Sequence, residues 1–193
     1  MGMFKKISTF FKNKSEKVTI LVIGLNNSGK STIINHFKSP QEQAAITVPT
    51  VGFTLEQIRS EGVLFTMVDT SGAWRYRSLW EHHFKNCHGI IYVIDSSDRM
   101  RLVVVRDELD TLLKHPDLEN RSIPILLYNN KVDCEDSLSS VKIAAALGLH
   151  NIEDKPWHIT PSNAITGEGL EDGVHWLVQQ IKSVSSHNKK FKH

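Results

Sequence analysis

Nothing in this chain of 193 residues offers a membrane span: apolar stretches such as ILVIGL (20–25) and GIIYVI (89–94) fall far short of the roughly 20 residues a spanning helix needs. No secretory leader pattern opens it either. Cysteine is nearly absent. Cys87 and Cys134 are the only two, they lie far apart without metal-ligand spacing, and they read as reduced thiols of an intracellular protein rather than a disulfide scaffold. Internal repeats and long linkers are missing as well. One domain is expected, long enough to bury a core without staples, and its 40% hydrophobic and 23% charged content is that of a soluble globular protein.

Charge of one sign does not dominate, since the formal net charge is only +2, but it is unevenly spread. Lys5, Lys6, Lys12, Lys14 and Lys17 outweigh Glu16 at one end, and Lys182, Lys189, Lys190 and Lys192 stand without an acid at the other. The body between them is acidic. Basic ends suit attraction to an anionic membrane surface; short solubilising tails are the alternative. Nucleic acid is not expected as a partner, because no nucleic-acid motif accompanies the lysines. Met3, Phe4, Ile7, Phe10 and Phe11 recur at helical spacing among Lys5, Lys6 and Lys12, the pattern of a basic amphipathic helix that lies in a membrane interface or packs on the domain. Gly2 lacks the Ser or Thr at position 6 that myristoylation wants, since Lys6 stands there.

Apolar, β-branched runs recur at 18–24, 63–69, 89–95, 123–129 and 157–160, mostly separated by helix-length segments. That alternation predicts an α/β domain with a mainly parallel sheet covered by helices on both faces. Residues 53–59 read as an antiparallel edge strand joined to 63–69 by a hairpin around Glu61-Gly62, because a helical crossover does not fit there. Helices are predicted at 30–38, 78–86, 99–115, 137–147 and 170–184.

The chemistry should follow the strands. After the first comes GLNNSGKS (24–31), a complete G-x-x-x-x-G-K-[ST] phosphate loop between a strand and a helix. Its backbone from Gly24 through Leu25, Asn26, Asn27, Ser28 and Gly29 would ring the phosphates, with Thr32 just beyond; Lys30 would reach the β- and γ-phosphates and Ser31 would ligate Mg²⁺. NNKVD (129–133) carries N-K-x-D. The Asp133 carboxylate would accept two hydrogen bonds from guanine that adenine does not offer, while Asn130 and Lys131 brace the loops. In VDTSGAWRYR (68–77), Asp69 ends a strand where a carboxylate would hold Mg²⁺ through water, and Gly72 would give its N–H to the γ-phosphate. Thr50 would close on the same metal and phosphate. Two loops sensing one phosphate make a nucleotide-controlled switch. The expected cofactors are therefore GTP or GDP with Mg²⁺.

PTVGF (49–53), D-x-x-G, RYRSLWEHHF (75–84), VIDSSDRMR (93–101), NNKVD and AITGEGLEDGVHWL (164–177) resemble the Arf family of small GTPases over about residues 17–184. LDTLLKHPD and DKPWHI are most similar to the branch that recruits the BBSome coat to ciliary membranes. The resemblance implies a six-stranded G domain at 17–184, a membrane-engaging N-terminal helix at 1–16, and a basic, disordered tail at 185–193. It implies that exchange moves the hairpin of residues 53–69, that the GTP form releases the N-terminus onto membrane, and that a BBSome-like effector coat docks around Phe53, Val68, Trp80 and His83; core packing is the alternative role of these four. Ala164 would give a backbone N–H to the guanine O6. An exchange factor and an activating protein are further implied partners, and a cytoplasmic, peripheral-membrane and ciliary location follows.

Four residues depart from the family pattern. Ala73 stands where a glutamine orients the attacking water, which predicts slow or partner-dependent hydrolysis. Asn26 replaces a usual aspartate, and Asn163-Ala164-Ile165 replaces Ser-Ala-Lys. Two functions stay open: a GTPase rescued by a partner, and a GTP-binding recruitment module that barely hydrolyses. A phosphate-loop nucleotide kinase is disfavoured by NNKVD. Arg75 and Arg77 read as surface contacts, His82, His83 and His88 as surface imidazoles, and Asp107, Glu108 and Asp110 as a solvated helix face.

Overall fold

The computed structural model describes residues 17–60 and 63–190. Six strands form one sheet: β1 Lys17–Ile23, β2 Phe53–Ser60, β3 Val63–Thr70, β4 Gly89–Asp95, β5 Ile125–Asn130 and β6 Trp157–Ser162. Their order is β2-β3-β1-β4-β5-β6, with β2 antiparallel to β3 and every other pair parallel. The β2–β3 register runs to Ser60↔Val63, and the expected turn residues Glu61 and Gly62 lie outside the described residues. So does the expected N-terminal helix.

Strand periodicity sorts the core into two layers. Val18, Ile20 and Val22 of β1 join Ile33, Ile34 and Phe37 of α1 (Lys30–Phe37) and the apolar stripe of α6 (Leu170–Lys190) on one face. Leu21 and Ile23 point the other way, onto α2 (Glu81–Phe84), α3 (Leu102–Leu113) and α5 (Ser140–Leu147). β4 is buried along its whole length, as a central parallel strand requires. Its Tyr92 donates to the Val105 carbonyl at 3.3 Å, and Tyr128 of β5 to that of Leu170 at 2.7 Å; each buried ring thus has its hydroxyl satisfied.

Several ends differ from expectation for local reasons. The helix expected over 99–115 opens as a tight turn, Arg99–Arg101, capped by the Asp98 side chain, and stops at Leu113 because His115 precedes a proline. Pro116 then starts α4 (Pro116–Glu119). The segment ahead of α2, Trp74–Trp80, is a 3-10 turn. α6 runs to Lys190, so residues 185–190 of the expected disordered tail are helical; no Gly or Pro interrupts the chain after Gly173. Residues 191–193 lie outside the described part.

His88 is not merely a surface imidazole. Its Nδ1 accepts the Thr19 N–H at 3.1 Å, and the His88 backbone N–H donates to the Thr19 carbonyl at 2.8 Å. Arg121 collects carbonyls behind α2: Phe84 at 2.7 Å, Cys87 at 2.8 Å, Lys85 at 3.1 Å and Asp117 at 3.2 Å. Arg121→Ala strands several of these acceptors and is expected to cost about 2–3 kcal/mol, read as a lower urea midpoint at unchanged slope.

Candidate functional site

β1, β3, β4 and β5 deliver their C-terminal ends to one rim, and the loops that follow them make the site. The first links Ile23 to α1. Gly24 has φ +140° and a Cβ there would lie 2.2 Å from the Val93 carbonyl oxygen; Gly29 has φ +102° and its Cβ would lie 2.3 Å from Asn130 Nδ2. Only glycine allows both the conformation and the approach. Asn27, with φ 64°, completes a tight loop whose amides lead into the helix N-terminus, an arrangement suited to phosphate. The Lys30 ammonium donates to the carbonyls of Gly24 at 3.0 Å and Leu25 at 2.9 Å. Burial pulls its pKa from the usual 10.5 down to about 8; Asp69 opposes the fall, while Arg77 and Arg101 add to it. The site thus holds a buried cation that, among the described residues, rests on carbonyl oxygens and forms no salt bridge.

Ser31, Thr50 and Asp69 meet beside it from three different segments. Ser31 Oγ donates to Asp69 Oδ2 at 2.6 Å, Thr50 Oγ1 to the same oxygen at 3.2 Å, and the two hydroxyls lie 3.0 Å apart. Burial raises the Asp69 pKa, partly offset by the Ser31 hydrogen bond and Lys30. Asp69 Oδ1 is buried without a hydrogen-bond partner among the described residues. An all-oxygen set with one free carboxylate oxygen fits Mg²⁺, which takes few protein ligands and completes its shell with phosphate and water. Among the described residues no group of three His, Cys, Asp or Glu gathers for a metal. A cleft of about 250 Å³ opens here between the phosphate loop, residues 47–50 and residues 70–73. At its wall Thr32 and Thr47 hydroxyls are 3.2 Å apart.

Asn130 knits three loops together. Its Nδ2 donates to the Ser28 carbonyl at 2.8 Å, and its Oδ1 accepts from Ala164 N–H at 3.0 Å and Ser162 Oγ at 3.3 Å. The Ala164 N–H expected to meet a base oxygen is therefore held inside the protein. Asn163 explains one departure from the family pattern: its Oδ1 takes the N–H groups of Ile165 at 2.9 Å and Thr166 at 3.3 Å and folds the third loop. Lys131, at φ 65°, anchors on Asp95 Oδ2 at 2.6 Å, whose pKa is lowered by this bond and by Ser97 against the pull of burial. Asp133 is exposed. Asn26, the other departure, accepts from Arg101 Nη1 at 2.9 Å.

The loop after β3 corrects four expectations. Gly72 presses on the phosphate loop so closely that a Cβ would sit 2.2 Å from Asn26 N and Leu25 C. Arg77 is no surface residue, and Glu108 no solvated one: Arg77 Nε donates to the Gly72 carbonyl at 3.0 Å and Nη1 to Glu108 at 2.7 Å. Val68 and Trp80, named for an effector surface, are 2% and 3% exposed, and the Trp80 indole donates to the Ser71 carbonyl at 3.0 Å. Strand alternation turns Val68 inward, and the 3-10 turn does the same for Trp80. Phe53 and His83 do meet, edge to face at 4.6 Å; burial, then His82, lowers the His83 pKa. Trp74 beside Ala73 is 82% exposed.

The ADP-ribosylation factor family model matches residues 4–181. ADP-ribosylation factor-like protein 6 of Danio rerio is 50% identical over 186 residues, 96% of this chain and 100% of that protein. Its namesake in Caenorhabditis elegans is 38% identical over 181 residues, 94% of this chain and 95% of that one. Among solved structures, the Arl6 BBS3 small GTPase from Trypanosoma brucei with bound nucleotide analogue GppNp superposes with a TM-score of 0.81 at 35% identity, covering 87% of this chain and 99% of that one.

Asn130→Asp keeps the acceptor toward Ala164 and deletes the donor toward Ser28. A loss of about 1–3 kcal/mol is expected in calorimetric melting; an unchanged melting temperature would show that the amide bridge does not hold the loops.

Proposed function

The chain belongs to the ADP-ribosylation factor family, and from that premise we propose that it is a guanine-nucleotide switch that recruits an effector coat to membrane. The observation that carries the reading is the meeting of Ser31, Thr50 and Asp69 within 2.6–3.2 Å beside the buried Lys30. Three chain segments converge there on oxygen chemistry that suits a phosphate and its metal.

The residues take these roles. The amides of 24–29 and the Lys30 ammonium hold the β- and γ-phosphates; with a pKa of about 8 the amine keeps its proton at neutral pH, and a phosphate supplies the counter-charge that burial denies it. Ser31, Thr50 and Asp69 would hold Mg²⁺. When bound, the ion would supply neutralisation of phosphate charge. Thr50 and Gly72 sense the γ-phosphate from opposite sides of the cleft. Asp133 reads the edge of guanine, Lys131 and Asn130 brace the loop beneath it, and the Ala164 region closes the third side. Exchange of GDP for GTP moves the hairpin 53–69. Phe53 and His83, with exposed Val51, Leu55 and Trp74 near them in sequence, form the docking surface for a coat of the BBSome type in ciliary membrane traffic. An exchange factor loads the switch. Comparing fluorescent GTP and ATP tests the class: preference for ATP would return the chain to the nucleotide kinases.

Membrane engagement is assigned to residues 1–16 on their sequence pattern. Among the described residues no helix is long and apolar enough to cross a membrane. Binding of the GTP-loaded protein to anionic liposomes should drop severalfold on deletion of residues 2–14; undiminished binding would place the anchor elsewhere.

Ala73 favours the reading of a module that turns off slowly. Its methyl group has no donor or acceptor to orient water, and neighbouring Trp74 offers only an indole. Ala73→Gln is expected to raise single-turnover hydrolysis about 10- to 100-fold. Equal, brisk rates in both proteins would show that position 73 does not limit the chemistry.

A further inference from the structure

We infer that Arg77 and Glu108 form a latch that holds the loop of Gly72 against the phosphate loop and so sets the preference for GTP over GDP. The inference deepens the switch reading and rests on it.

The Arg77 guanidinium makes two bonds to two elements, Nε to the Gly72 carbonyl at 3.0 Å and Nη1 to Glu108 at 2.7 Å. Its side chain is 11% exposed and that of Glu108 25%, so the pair is shielded more than a surface ion pair, whose contribution is small. Glu108 is a fixed post. It stands on α3 one turn beyond Val105, whose carbonyl accepts the fully buried Tyr92 hydroxyl of β4 at 3.3 Å. The Gly72 end lies in the loop between β3 and the 3-10 turn. Ser71 is held by the Trp80 indole at 3.0 Å and by its own N–H to the Gly52 carbonyl at 2.8 Å, which join the loop to the segment entering β2. Gly72 itself has no room for a methyl group against Leu25 and Asn26.

Arg77 therefore spans loop and helix when Gly72 lies over the phosphate loop. A shift of an ångström or two breaks the hydrogen bond to Gly72 or the ion pair. The bridge adds stability to the loop position that meets a γ-phosphate and little to the alternative, and a differential interaction of this kind is what moves a two-state equilibrium. Neither Arg77 nor Glu108 lines the cleft; they are positioning residues.

The test measures affinities for a non-hydrolysable GTP analogue and for GDP, in Mg²⁺, by competition with a fluorescent nucleotide. For Arg77→Ala and Glu108→Ala, affinity for the analogue is expected to fall about tenfold relative to GDP, and the double variant should lose no more than either single. Glu108→Gln, which keeps shape and an acceptor, should lose about threefold and guards against a fold too damaged to measure. Lysine at 77 should not rescue, since one ammonium replaces the planar fork poorly. Equal weakening of both nucleotides, a fall in melting temperature with the ratio unchanged, or additive single variants would each overturn the latch. Failure of the wild-type protein to bind the GTP analogue in preference to ATP would instead overturn the switch reading, and the latch with it.

Discussion

The Asn130 amide reaches 102 positions back along the chain to the Ser28 carbonyl and, through its oxygen, across to Ala164 and Ser162. Three loops that share no local sequence are thereby held at fixed separation over the rim of the sheet. A neighbouring side chain does not substitute, because the task needs a donor and an acceptor on one short planar group. Gly29 must be bare for the amide to sit where it does. The phosphate side and the base side of the site are thus not two independent halves.

This frame holds charges that the fold alone does not favour. Lys30 is buried on carbonyl oxygens, and Asp69 is buried with Oδ2 bound by hydroxyls and Oδ1 without a partner among the described residues. Desolvation pushes the two pKa values toward the neutral forms, down for the amine and up for the acid. A core designed for stability alone would not keep both. Their retention makes sense when a ligand brings the missing opposite charges, and it makes folding and ligand binding draw on the same free energy.

Much of this was legible in the sequence, and the limits are instructive. The buried strands follow from continuous apolar runs such as those of β1 and β4, and the phosphate loop from the spacing of Gly24, Gly29 and Lys30, because those patterns are local. Arg77 and Glu108 lie 31 positions apart and have no periodic signature; only the packing of the 3-10 turn against α3 brings them together. Trp80 and Val68 were open between surface and core because an apolar side chain suits both, and the direction in which the backbone turns them decides it. The Ala164 N–H looked available because a backbone donor has no sequence identity at all, and a side chain from β5 takes it.

The β1–β3 ladder has a last consequence. Its register runs from Lys17↔Leu64 to Val22↔Asp69, with Phe65 and Met67 in one layer and Val68 in the other. A hairpin that slides along β1 by one residue would throw all three side chains to the wrong side of the sheet. Sliding by two restores every face, at a displacement of about 6.6–6.8 Å. Any motion of this hairpin along β1 would therefore have to be stepwise: the pleat would act as a ratchet with two-residue teeth, and positions between the teeth would not be resting places.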